Sequence, residues 1–254
     1  DNATIFVVSN LSLDEVMPDL TEAFGNWTAP ATAKGQKDFS AVATPPEASR
    51  IVLVNRPNSP QSFILGGEVT PFSANDDAIV DLTNANNALG GNFLARLNMN
   101  LRETKGWSYG VRGGPSINEG SVAYFVQAPV QADRTGDALA EIIREVDEFV
   151  TTRGVTDEEL TRNVNNEIRQ LPGQFETSSA VLGAMQNNVK YGRPMDYYET
   201  LADKYRGQTV ESLDAAARKA INPDHFVWVV VGDAEKVRPQ LEKLGLPVET
   251  IEVD

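Results

Sequence analysis

The chain of 254 residues contains no cysteine and a single histidine. Without cysteine there is no disulfide, no thiolate nucleophile and no thiolate metal site. His225 alone cannot build a two- or three-histidine zinc site, and any Ser-His-Asp triad would have to use that residue. Basic residues are few: 22 Lys and Arg stand against 36 Asp and Glu, a formal net charge of −14. So acidic a chain repels phosphate backbones and anionic lipid, which argues against nucleic-acid and membrane partners. No run approaches the roughly 18 apolar residues that a membrane-spanning helix needs. There is no Gly-x-Ser-x-Gly elbow, and the glycine-rich stretch 110–114 lacks the lysine and helix start of a phosphate loop. The pair Asp76-Asp77 lacks calcium-loop spacing and reads as solvated surface.

What is present is ordinary globular composition, 41% hydrophobic and 23% charged. Two parts of the chain look alike. Ile5 to Val8 is a short apolar run followed by Val16-Met17-Pro18-Asp19-Leu20; Trp228 to Val231 is another, followed by Val237-Arg238-Pro239-Gln240-Leu241. Each is a strand followed by a helix opening that tolerates proline near its first turn. The repeat implies a duplicated architecture in which each unit closes one domain. The expected organisation is therefore a closing strand and helix of a preceding domain at 1–27, a linker at 28–49 and a complete domain at 50–254. No charged-then-apolar leader follows Asp1, so the expectation is that either a targeting segment has been removed or the chain is a piece of something longer.

Within 50–254, strands are expected at 51–55 and 61–69, and a helix at 76–89 ends at Gly90-Gly91. Phe93, Leu94, Leu97 and Leu101 form the apolar stripe of a second helix that Gly106 stops. Trp107, Tyr109 and Val111 alternate with polar neighbours as a strand would, residues 113–120 read as a turn, and 121–130 read as a central strand. Helices follow, one opening on the capping box Thr156-Asp157-Glu158-Glu159, before a last strand at 226–231 and a last helix at 235–244. Strands bunched early and helices bunched in the middle imply an α+β fold, with helices on one face of a mostly antiparallel sheet.

The segment 92–111 is the candidate functional one. Arg102 near a helix end presents a rigid fork of donors, and seven residues on, Tyr109 carries a phenol. If the chain reverses at Gly106, both tips can enter one crevice and donate to a carbonyl or a developing oxyanion. Two plainer roles remain open at this level: Tyr109 as a core residue beside Trp107 and Val111, and Arg102 as a surface partner of Glu103. His225 reads as a histidine at the entry to the final strand.

The segment Leu94 to Val111, with Leu101-Arg102-Glu103 leading through Gly106 to Tyr109, resembles the second, non-metal domain of the insulinase or pitrilysin family of zinc metallopeptidases. Phe24-Gly25-Asn26-Trp27 looks like the end of the family's preceding domain, and 222–233 like the equivalent closing unit of the second. The resemblance implies that Arg102 and Tyr109 are catalytic and substrate-binding, gripping the peptide backbone and stabilising the tetrahedral intermediate. It also implies that no metal is held here and that zinc belongs to a partner half, in the same polypeptide or another subunit, this chain alone being inactive. The expected partners are that zinc-motif-bearing half, a peptide substrate and, through residues 1–27, possible further copies of the chain. The family also contains structural subunits, so a non-catalytic scaffold is the alternative. The style of the sequence is similar to bacterial periplasmic or secreted members, a cytoplasmic place staying open.

Overall fold

Alternation of buried and exposed side chains along the strands sets the architecture of the computed structural model, which describes residues 3–28, 31, 32, 35, 38 and 47–252. Strands β1 (Arg50–Asn55), β2 (Gln61–Val69), β3 (Arg112–Ile117), β4 (Val122–Gln131), β5 (Val227–Gly232) and β6 (Val248–Glu252) form one sheet in the order β3-β4-β2-β5-β1-β6. Ile51 and Leu53 on β1, Ile64 on β2, Tyr124 and Val126 on β4, and Trp228 and Val230 on β5 all point to one buried face. Against that face lie α2 (Ala78–Leu89), α4 (Thr135–Thr151), α8 (Val210–Ala220) and α9 (Ala234–Leu241). The sequence of α4 carries Leu139, Ile142, Ile143, Val146 and Phe149 as an apolar stripe at helical spacing; all are buried except Ile143, which packs partly buried against the core. The opposite sheet face carries Phe63 and Leu65, both exposed.

Helices on one face of a sheet meet the α+β expectation. Three of the five pairings are antiparallel, but β1 runs parallel to both β5 and β6, so the sheet as a whole is mixed. Strand β6 went unforeseen. It is a short edge strand, and Glu249 and Glu252 leave it almost no apolar signal.

Of the turn expected at 113–120 only the end forms one, closed by the Asn118 N–H donating to the Ser121 carbonyl at 2.9 Å. Gly113, Gly114 and Pro115 lie in β3, where proline is tolerated because β3 is the opposite edge and its N–H side needs no partner. A Cβ on Gly113 would meet the Phe125 carbonyl at 2.9 Å, so the missing side chain allows the close pairing. Of the duplicated units, β5–α9 is a strand and helix as expected. In the other, α1 (Leu13–Phe24) forms behind a Ser12 N–H donating to Glu15 Oε2 at 2.8 Å, but 3–9 pair with no strand and α1 buries no residue. A strand forms only where an edge accepts its hydrogen bonds, and this segment meets none among the described residues. The linker expected at 28–49 falls mostly outside the described residues.

Two packing points hold the layers together. Gly66 lies opposite Trp228 in the β2–β5 register, and a Cβ there would overlap the fully buried indole. Helix α5 (Asp157–Gln170) opens on the expected capping box, with the Thr156 N–H donating to Glu159 Oε2 at 2.9 Å and the Glu159 N–H to Thr156 Oγ1 at 3.2 Å. The Glu159 carboxylate also accepts from Arg96 Nε at 2.9 Å and Nη2 at 2.6 Å, and the same Nη2 donates to the Gly154 carbonyl at 2.7 Å. Burial alone would raise the Glu159 pKa, yet the Arg96 and Thr156 donors hold it below the usual range.

Gly66→Ala should lose about 3 kcal/mol of stability, read by urea denaturation, because the indole has nowhere to move. Arg96→Met should cost about 2 kcal/mol in the same measurement, leaving the Glu159 carboxylate without its counter-charge and the Gly154 carbonyl without its donor. A loss under about 0.5 kcal/mol would show the anchor to be ornamental.

Candidate functional site

The expected second helix begins late. Phe93 and Leu94 precede it and are exposed, so only Leu97 and Leu101 of the four-residue stripe reach the core. A short helix, α3 (Arg96–Asn98), widens into a π turn, Met99–Thr104, closed by Lys105 N–H donating five residues back to the Asn100 carbonyl at 2.9 Å. Such turns insert an extra residue and are frequent at functional sites. Gly106 then reverses the chain at φ +67°, the left-handed backbone that glycine adopts without strain.

Residues 107–111 are not a strand. Only Ser108 forms a bridge, to Val130, with its Oγ donating to the Pro129 carbonyl at 2.6 Å. Across the segment, Asn98 Nδ2 donates to the Phe93 carbonyl at 2.8 Å and its Oδ1 accepts the Val111 N–H at 3.1 Å. The chain from 107 to 111 is therefore pinned to β4 on one side and to α3 on the other. Val111 is buried, Trp107 is partly buried against the core, and Tyr109 projects outward, 85% exposed. That exposure excludes the role of Tyr109 as a core residue.

Arg102 and Tyr109 line one cavity of about 230 Å³, together with Phe93, Asn98 and Arg112. The Arg102 guanidinium sits 4.6 Å above the centre of the Phe93 ring, and its Nε lies 3.2 Å from Glu103 Oε1. The Glu103 pairing foreseen as the plain role thus exists, but both side chains are about two-fifths exposed and such a pair is weak. Phe93, Asn98 and Arg112 were missed. Phe93 had been assigned to the core stripe, and nothing local in the sequence marks Asn98 as a cross-brace.

The π turn is held from the core side by Asn100, whose Nδ2 donates to Glu141 Oε2 at 2.8 Å and Glu145 Oε1 at 3.0 Å on α4. Lys105 adds an ion pair to Glu141 at 3.4 Å. Burial alone would raise the Glu141 carboxyl, but hydrogen bonds from Arg144 and Asn100 with nearby positive charge hold it at about 2. Elsewhere, Asp77 pairs with Lys204 at 2.6 Å and Asp76 Oδ1 accepts the Ala78 N–H at 3.0 Å, so that acidic pair is structural. Among the described residues no group of three or more His, Asp or Glu side chains could hold a metal ion, and no helix is long and apolar enough to cross a membrane.

Solved structures share this layering. The chain is similar to the peptidase M16 inactive domain from Pseudomonas fluorescens, with TM-score 0.69 and 24% identity over 80% of this chain and 47% of that one. It is also similar to the periplasmic protease PqqL from Escherichia coli, with TM-score 0.70 and 17% identity over 87% of this chain and 24% of that one. Residues 1–167 match the family model described as the Peptidase M16 inactive domain, and the chain belongs to that family. A zinc protease of Streptomyces coelicolor is 28% identical over 199 residues, 78% of this chain and 39% of that protein, so the chain spans well under half of this relative's length.

Asn98→Ala should release the Val111 amide, raising its hydrogen-exchange rate at least about tenfold relative to core amides, with Leu101 unchanged. The Glu141 pKa lies below its unfolded value of 4.5, so its support of the π turn is complete above pH 4.5 and fades as pH falls toward 2. Acid titration of Glu141→Gln should show a flatter loss of stability across that window than the parent does.

Proposed function

We propose that this chain is the substrate-gripping, zinc-free half of a zinc-dependent peptidase. Arg102 and Tyr109 hold the backbone of a peptide and donate to the charge that grows on its carbonyl oxygen during attack. The observation that carries this reading is that a guanidinium and an exposed phenol, from opposite sides of the Gly106 reversal, line one cavity. Membership of the inactive-domain family supports it. A partner half, in the same polypeptide or a separate subunit, would supply the zinc, its ligands and the general base. Residues 1–27 would close a preceding domain, 28–49 would link, and 50–254 would form the complete non-metal domain. The lack of any buried residue on α1 supports that division, because an amphipathic helix needs a surface to cover. The same bare helix would allow copies of the chain to associate through 1–27. The periplasmic place of the Escherichia coli protease PqqL supports a periplasmic or secreted place for this chain.

In this reading the donors work in the transition state, so their loss reduces turnover more than binding. With the chain reconstituted with its zinc-bearing half, Tyr109→Phe should lower kcat about 100-fold while zinc content stays constant. Arg102→Met should raise KM and lower kcat together. The second reading, a non-catalytic scaffold, is favoured by the Arg102–Glu103 ion pair, which occupies part of the guanidinium. Unchanged peptide cleavage in Tyr109→Phe would decide for it.

A further inference from the structure

A second cavity, wider than the one beside Arg102 and Tyr109, lies away from them. Glu68 marks it, at the far end of β2 from Gln61, whose β4 partner Gln131 donates its N–H to the Trp107 carbonyl. The cavity holds about 740 Å³ between the end of β2, the last turns of α4 and α8, and the 3₁₀ turn Pro223–His225. That volume is typical of small-ligand pockets.

At its inner wall the Glu68 side chain is only 4% exposed. One carboxylate oxygen accepts the Asn222 N–H. The other makes no hydrogen bond among the described residues: His225 Nδ1, the closest basic atom, stands 3.9 Å away, beyond hydrogen-bond reach. The cations of the lining are committed elsewhere. Arg218 donates to the Val150 carbonyl and to Asp214, both at 3.1 Å, and Lys219 Nζ lies 4.7 Å above the Phe72 ring. Asp147 on α4 and Asp224 on the 3₁₀ turn add negative charge to the lining. A carboxylate oxygen that faces a cavity and has no protein donor of its own is available to a donor that enters from outside. Consistent with that, burial pushes the Glu68 carboxyl up to about 7 against the lowering effect of the Asn222 N–H.

We propose that this cavity binds a cationic side chain of the lysine or arginine kind, its charged head on Glu68 and its aliphatic stem along Val69, Pro71, Val150 and Ile221. The apolar lining suits a methylene stem, and the free oxygen supplies the acceptor that an ammonium or guanidinium requires. A metal ion is the wrong occupant, because no cluster of three or more candidate ligands exists among the described residues.

The test is an NMR titration of the full chain with N-acetyl-lysinamide, N-acetyl-argininamide and the uncharged N-acetyl-norleucinamide, following amides near Asn222. At pH 8 lysinamide or argininamide should give saturable shifts, the preferred head group being the one that binds more tightly, and norleucinamide should give none. Moving to pH 6 crosses the Glu68 titration in the protonating direction, so binding should weaken about tenfold. Glu68→Gln keeps an acceptor for Asn222 but not the charge, and should weaken binding at least about tenfold at pH 8. His225→Gln should retain binding, since the imidazole stands beyond hydrogen-bond reach of the free oxygen and is not a ligand. Equal binding of norleucinamide, no saturable shift at pH 8, or undiminished binding by Glu68→Gln would each overturn the proposal. The norleucinamide and pH comparisons use the parent chain and so hold even if a variant folds poorly.

Discussion

Arg96 fixes the position of the corner that carries the candidate site. Its planar fork reaches the Glu159 carboxylate and the Gly154 carbonyl at once, tying the start of α3 to the loop that enters α5. A lysine offers one point of charge in place of that fork and could not satisfy both groups in fixed directions. From there, every second residue braces a different neighbour. Asn98 holds the segment ahead of it and Val111 after it, Asn100 is bound to two carboxylates on α4, and Arg102 is left to face the cavity. Tyr109 gains its outward position from the same braces, since Val111 and Ser108 are each anchored and the phenol lies between them.

Much of this was legible in the residues because burial writes period and punctuation into a sequence. The α4 stripe, the capping box at Thr156, the central strand through Tyr124 and the reversal at Gly106 each carry a local signal that tertiary contacts reinforce. What was hidden depends on partners distant in sequence. Gly113-Gly114-Pro115 has the composition of a turn, and only the neighbouring β4 makes it a strand. Trp107-Ser108-Tyr109 alternates like a strand but lacks a partner beyond one bridge. Val248 to Glu252 pairs in parallel with β1, and parallel pairing leaves no hairpin signature. At the site, spacing alone brought out Arg102 and Tyr109; Asn98 stayed invisible because its two partners become adjacent only after folding.

The one-sided sheet shapes what the molecule presents to others. Phe63 and Leu65 stand exposed on its bare face, and Leu13, Met17 and Phe24 stand exposed on α1. A globular chain seldom leaves two apolar surfaces uncovered without a contact in prospect. That pattern accords with a chain that spans 39% of the length of its Streptomyces coelicolor relative, and it contrasts with the other face, where Trp228, Phe226 and Tyr124 are sealed beneath the helices.

The π turn at Met99–Thr104 makes the corner sensitive to chain length in a way that side-chain chemistry is not. A regular helix advances about 100° per residue, so removing one residue from the wide turn and restoring ordinary pitch would swing Arg102 around the axis by about that angle. The guanidinium would then leave the Phe93 ring, while the buried Leu97 and Leu101 could still find the core. Insertions and deletions at this single turn are thus a route by which relatives of this fold could re-aim the residue at this position without disturbing the scaffold beneath it.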